Sequence, residues 1–131
     1  MIGIDTNVIV RYIAQDDAAQ SARATRLIER ECSADAPGFV ALVVLVETVW
    51  VSESLYRATR EEVAQILRRL LSIRQLVVES AEVAWKALRT FETARADFAD
   101  CLIHHIALSQ GCERVVTFDR QAAKCGMSLL R

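Results

Sequence analysis

Two short apolar runs that each end in an aspartate, Ile2-Gly3-Ile4-Asp5 and Val115-Val116-Thr117-Phe118-Asp119, constrain this chain most. Between them lie long segments of helical periodicity, interrupted by further short apolar runs at Phe39-Val40 and Leu76 to Val78. Strands alternating with longer helices predict a parallel sheet with helices on both faces, so the expected class is α/β in three layers. Four Gly and one Pro in 131 residues leave little material for linkers, and the length suits one compact domain, taken as residues 1–131.

Local signals divide the chain further. Ile2 to Ile4 reads as a short buried strand, with Thr6 or Asn7 placed to cap a helix through Ile13. A second helix is expected from Asp17 to Cys32, with Ala24, Leu27 and Ile28 on one side and Arg23, Arg26 and Arg30 on the other. Ser33 to Gly38 is the clearest turn signal. A helix over Leu42 to Tyr56 follows, and Thr59-Arg60-Glu61-Glu62 has the form of a capping box opening a helix to Ile73. The two would form a hairpin with apolar faces at Val46, Trp50, Leu67, Leu70 and Leu71. Next come a strand at Leu76 to Val78 and a helix from Ala81 to Ala94. Asp97 then caps a helix to Gln110, stopped by Gly111. Arg114 to Phe118 reads as a buried strand, followed by a short helix and a last strand over Met127 to Leu130.

Charge and composition remove several functional classes. A net charge of −1 excludes a polycation that coats nucleic acid, although a local basic patch or a bound metal can still supply positive potential. The most apolar window, Phe39 to Val51, is too short to span a bilayer and contains Glu47. The opening residues carry no basic or apolar targeting segment, so a cytoplasmic, non-membrane protein is expected. Cys32, Cys101, Cys112 and Cys125 lack the tight knuckle spacing of zinc ligands and are expected as reduced, packed thiols. No glycine-rich phosphate loop or Ser-His-Asp arrangement is present. His104 and His105 are adjacent, so on a helix they point about 100° apart. The arginine stripe of the second helix reads first as a solvated face and second as an RNA contact.

The chemistry lies in the carboxylates. An ionised acid inside an apolar run needs a cation, a proton or a cap. Asp5 stands at the carboxyl end of the first strand, where α/β sheets bind ligands. Glu47 interrupts an apolar helix and is expected to face something polar inside. Asp97 and Asp100 lie at i and i+3 near a helix start; Asp97 is the better cap and Asp100 the better chemical group. Asp119 ends the strand Val115 to Phe118, and Thr117, two residues before it, is placed to bond a carboxylate or a water. Carboxylates gathered at one sheet edge repel unless a cation neutralises them, and an all-oxygen set suits Mg²⁺ or Mn²⁺. Phosphodiester hydrolysis is the reaction such a centre favours.

At these residues the chain resembles the PIN domain, and within it the VapC-type toxins of bacterial toxin–antitoxin pairs. Ile4-Asp5-Thr6-Asn7-Val8 is similar to the family's opening motif, Glu47 to its second acid, Asp100 in Asp-Cys-Leu-Ile to its third, and Thr117-Phe118-Asp119 to its Thr-x-Asp segment. The resemblance implies a three-layer α/β/α fold with a short, mostly parallel central sheet and a protruding helical hairpin. It also implies a Mg²⁺- or Mn²⁺-dependent endoribonuclease acting on RNA, dimeric, and blocked by a cognate VapB-like antitoxin. Asp5, Glu47, Asp100 and Asp119 would be catalytic, with Asp5, Asp100 and Asp119 as metal ligands and Asn7, Thr117 and Asp97 in support. Cys101 stands where the family commonly has Ala, and Asp97 is a fifth acid beside Asp100. A PIN-like module that binds RNA or protein without cutting is the competing reading. An aspartate-based phosphotransfer protein ranks below both, because Asn7 and Asp119 stand where it would want an aspartate and a lysine.

Overall fold

The computed structural model describes all 131 residues, which form two compact units, Met1–Glu79 and Ser80–Arg131. In the first, β1 (Ile2–Gly3), β2 (Gly38–Val40) and β3 (Leu76–Val78) make a parallel sheet in the order β1-β2-β3. β2 is therefore the strand bonded on both sides, and its Gly38 lies so close to Ile4, Leu76 and Cys32 that a Cβ there would force the end of the Ile4 side chain to shift. Ile2 at the sheet edge is exposed and only Ile4 of the first apolar run is buried, so that run is buried at its end alone.

Helices α1 (Thr6–Ala14) and α2 (Ala18–Arg26) join β1 to β2, and α3 (Leu42–Ser54) and α4 (Arg60–Ser72) join β2 to β3. Each start is fixed by a side chain that takes up an orphan N–H. Asp17 accepts from the Gln20 N–H at 2.9 Å. The capping box closes in both directions, Glu62 N–H to Thr59 Oγ1 at 3.2 Å and Thr59 N–H to Glu62 Oε1 at 2.9 Å. α3 begins at Ala41, which has no side chain to offer, and Glu79 beyond β3 accepts the Leu42 N–H instead at 2.9 Å. The expected long second helix loosens at its end into a π-helical turn, Leu27–Glu31, where the Cys32 N–H reaches Leu27 O at 2.8 Å.

α3 is not buried on most faces, as its composition had indicated. Val44, Leu45, Thr48, Val49 and Ser52 are covered, while Val43, Glu47, Trp50 and Ser54 form an exposed stripe. Thr48 and Ser52 tolerate burial because their hydroxyls donate to carbonyls one turn back, both at 2.7 Å. Leu67 and Leu70 of α4 are buried as expected; Trp50 is 65% exposed.

The second unit pairs α5 (Ala81–Thr93) with α6 (Phe98–Ser109), then adds β4 (Val116–Thr117), α7 (Arg120–Ala123) and β5 (Ser128–Leu129). Ala84 and Ala87 of α5 are fully buried, and Phe91 meets Phe98 edge to face at 6.1 Å. α6 ends as expected at Gly111: with φ +94° it lets its own N–H bond Leu108 O and the Cys112 N–H bond Ala107 O. β4 pairs with β5 in parallel. The expected buried strand over Arg114 to Phe118 is shorter and more open, since Val116 is exposed and Phe118 is 80% exposed. The class is α/β with every ladder parallel, as the alternation of strands and helices requires.

Candidate functional site

In the first unit the acids Asp5 and Glu47 are tied together through Thr6. Asp5, rather than Thr6 or Asn7, is the N-cap of α1, its Oδ1 accepting the Thr6 N–H at 2.7 Å. The Thr6 hydroxyl donates to Glu47 Oε1 at 2.6 Å, across 41 positions of sequence. Glu47 is exposed and meets this hydroxyl at the surface, not a polar group in the interior. Each acid keeps one carboxylate oxygen without a protein partner. Asn7 is exposed on the first turn of α1. Thr6 was legible only as a possible cap, because nothing near it in sequence points to Glu47.

In the second unit Asp100 lies close enough to Asp97 and Asp119 to feel their charges. Burial first, then the charges of Asp97 and Asp119, push the Asp100 carboxyl above its ordinary value. Asp97 occupies the N-cap position of α6, yet its side chain makes no capping bond. The position is as expected, but the carboxylate does not do the capping. Asp119 caps α7, accepting the Gln121 N–H at 2.8 Å. Thr117 does not reach a side-chain carboxylate: its Oγ1 accepts the Asp119 N–H at 3.0 Å, which holds the backbone under that acid.

Behind Asp100, the Cys125 thiol donates to its carbonyl at 3.7 Å, and His104 is buried with Nδ1 lacking a partner. His105 turns away to bond Thr90 Oγ1 at 2.7 Å. Cys32, Cys101 and Cys125 are buried thiols and Cys112 is exposed.

None of Asp5, Glu47, Asp97, Asp100 and Asp119 forms an ion pair, although the chain carries 16 basic residues. In neither unit do three potential ligands already stand at ligating distance. The donor chemistry, carboxylate oxygens without cationic partners, still fits a hard divalent cation. A sequence model of the PIN domain matches residues 2–126, across both units.

The chain belongs to the PIN domain family.

Among curated proteins, a VapC ribonuclease of Aquifex aeolicus (strain VF5) is 28% identical over 88 residues. That match takes in 67% of this chain and 65% of the relative's length. The PIN match embraces all four acids on which the sequence resemblance was built. No helix of this PIN domain is long and apolar enough to cross a membrane.

Proposed function

We propose that this PIN domain is a VapC-type endoribonuclease that hydrolyses RNA phosphodiester bonds with Mg²⁺ or Mn²⁺. In this reading it is a cytoplasmic homodimer silenced by a cognate VapB-like antitoxin. The observation that carries the proposal is the set of acids without cationic partners, among which burial first, then the charges of Asp97 and Asp119, raise the proton affinity of Asp100. The similarity to a VapC ribonuclease supports RNA as the substrate class, and the antitoxin rests on the sequence resemblance. The apolar exposure of Val43 and Trp50 on α3 supports a covered face of the kind a dimer needs.

Asp5, Asp100 and Asp119 would be the metal ligands, and Glu47 the fourth catalytic acid. When bound, the ion would offset the carboxylate charge, acidify a water and draw charge from a phosphoryl oxygen. The protein's own part is positional. Thr6 fixes Glu47 relative to Asp5 through one hydroxyl. Thr117 and the α7 cap fix Asp119 from its backbone and its Oδ1, leaving Oδ2 without a protein partner. Asp97 adds charge beside Asp100. Asn7 adds an amide near Asp5 in sequence.

The test is cleavage of total cellular RNA by the antitoxin-free protein with Mg²⁺, with Mn²⁺ and with EDTA, alongside Asp5→Asn and Asp100→Asn. Discrete fragments that vanish with chelator and in both variants are expected. Intact RNA in every lane from folded protein would replace this reading with the non-cutting module.

A further inference from the structure

In the first unit an open groove of about 550 Å³ runs between α1 and α2, within the size range of ligand sites. Its polar lining is Asn7, Arg11, Gln20 and Arg23, over apolar Val8 and Leu27, and no carboxylate lines it. Asn7, at one end, stands two residues after Asp5. Arg11 follows one turn along α1 and Arg23 faces in from α2.

The two arginines are in different states. Arg11 is held in place: Nε donates to Gln20 Oε1 at 2.8 Å, while one terminal nitrogen reaches Asp16 at 3.2 Å and the Tyr56 hydroxyl at 3.3 Å. Asp16 offsets part of its charge. Arg23 forms no ion pair. In a chain of net charge −1 there is no general positive field, so an unpaired guanidinium in a concave, carboxylate-free wall marks a local anion site.

We propose that this groove carries the RNA strand to one side of the cleaved bond, with Arg23 binding a backbone phosphate. The inference rests on the ribonuclease reading and extends it to the path of the substrate. Arg11, already fixed, supplies a second positive group at little further ordering cost, and the apolar floor accepts the faces of sugars and bases. The groove suits a single strand, whose phosphates and bases are both accessible to a concave surface.

The test measures binding of the full chain to a short labelled single-stranded RNA in EDTA, by fluorescence anisotropy over a KCl series. Arg23→Ala is expected to weaken binding and to lower the slope of log affinity against log salt by about 0.7, one single-strand phosphate contact. Arg23→Lys should keep the slope, since a point charge suffices. Arg26→Ala, on the same helix but outside this groove, should leave the slope at the wild-type value. A wild-type slope in Arg23→Ala, or an equal loss in Arg26→Ala, overturns the groove assignment. A poly-glutamate peptide that binds as tightly as the RNA and loses affinity with Arg23→Ala would assign the groove to an acidic protein segment, and so overturn it too. Metal-dependent cleavage by the wild-type chain, run in parallel, tests the ribonuclease reading separately. Expected slopes without cleavage retain an RNA groove and remove the nuclease, whereas cleavage with an unchanged slope removes the groove alone.

Discussion

Asp5 divides its two oxygens between structure and proposed chemistry. Oδ1 accepts the Thr6 N–H and starts α1, while Oδ2 has no protein partner. Asn caps helices about as well as Asp but carries no charge. Asp5→Asn should therefore abolish metal-dependent cleavage at an almost unchanged melting temperature, whereas Asp5→Ala should also lose about 1 kcal/mol of stability. Thermal melts beside the cleavage assay separate the two effects. His105 gives a residue-scale prediction in pH. Burial first, then His104, Lys86 and Arg89, hold its imidazole below the ordinary value of about 6.5. The unfolded chain thus takes up a proton that the folded chain resists. This contribution to stability is complete above the ordinary value and is lost as pH falls from there toward the depressed one. The urea midpoint should fall from pH 7.5 to pH 5.5, and His105→Gln should flatten that fall.

At the scale of elements, what was legible in the sequence was what is local. The Thr59 capping box, the Gly111 stop and the turn before Gly38 each rest on residues within a few positions of one another, and each formed as expected. Thr59→Ala should cost about 1 kcal/mol, read from chemical denaturation. Distant partners were not legible. Glu79 caps α3 across 37 positions, Thr6 reaches Glu47 across 41, and the π-helical turn after α2 has no sequence signature of its own. Exposure was misjudged for a related reason. An apolar run marks a strand or helix, but which of its faces is covered depends on neighbours, as Phe118 and Trp50 show. The four acids stood out in the sequence because a carboxylate in an apolar run is conspicuous in any fold. Gly38 is the element-scale counterpart of a buried contact. A Cβ there would collide with Ile4 Cδ1 and lie 3.1 Å from Leu76 Cδ2, so Gly38→Ala should destabilise by about 1–3 kcal/mol in a denaturant titration.

Over the whole molecule, positive and negative charges nearly cancel, yet the five acids stand outside any ion pair. Under the proposed function, Mg²⁺ or Mn²⁺ should raise the melting temperature of the intact chain, because a ligand that binds only the folded state stabilises it. Asp100→Asn should remove most of that rise, which a thermal-shift titration reads directly. The parallel ladders also set a timetable. Ile2 finds its partner only at Gly38, whereas Val116 meets Ser128 across about a third as much chain. Closing a longer loop costs more entropy before any contact repays it. The β1 segment must therefore wait for residues made much later before its sheet can form, while the β4–β5 pair closes over a short stretch of chain.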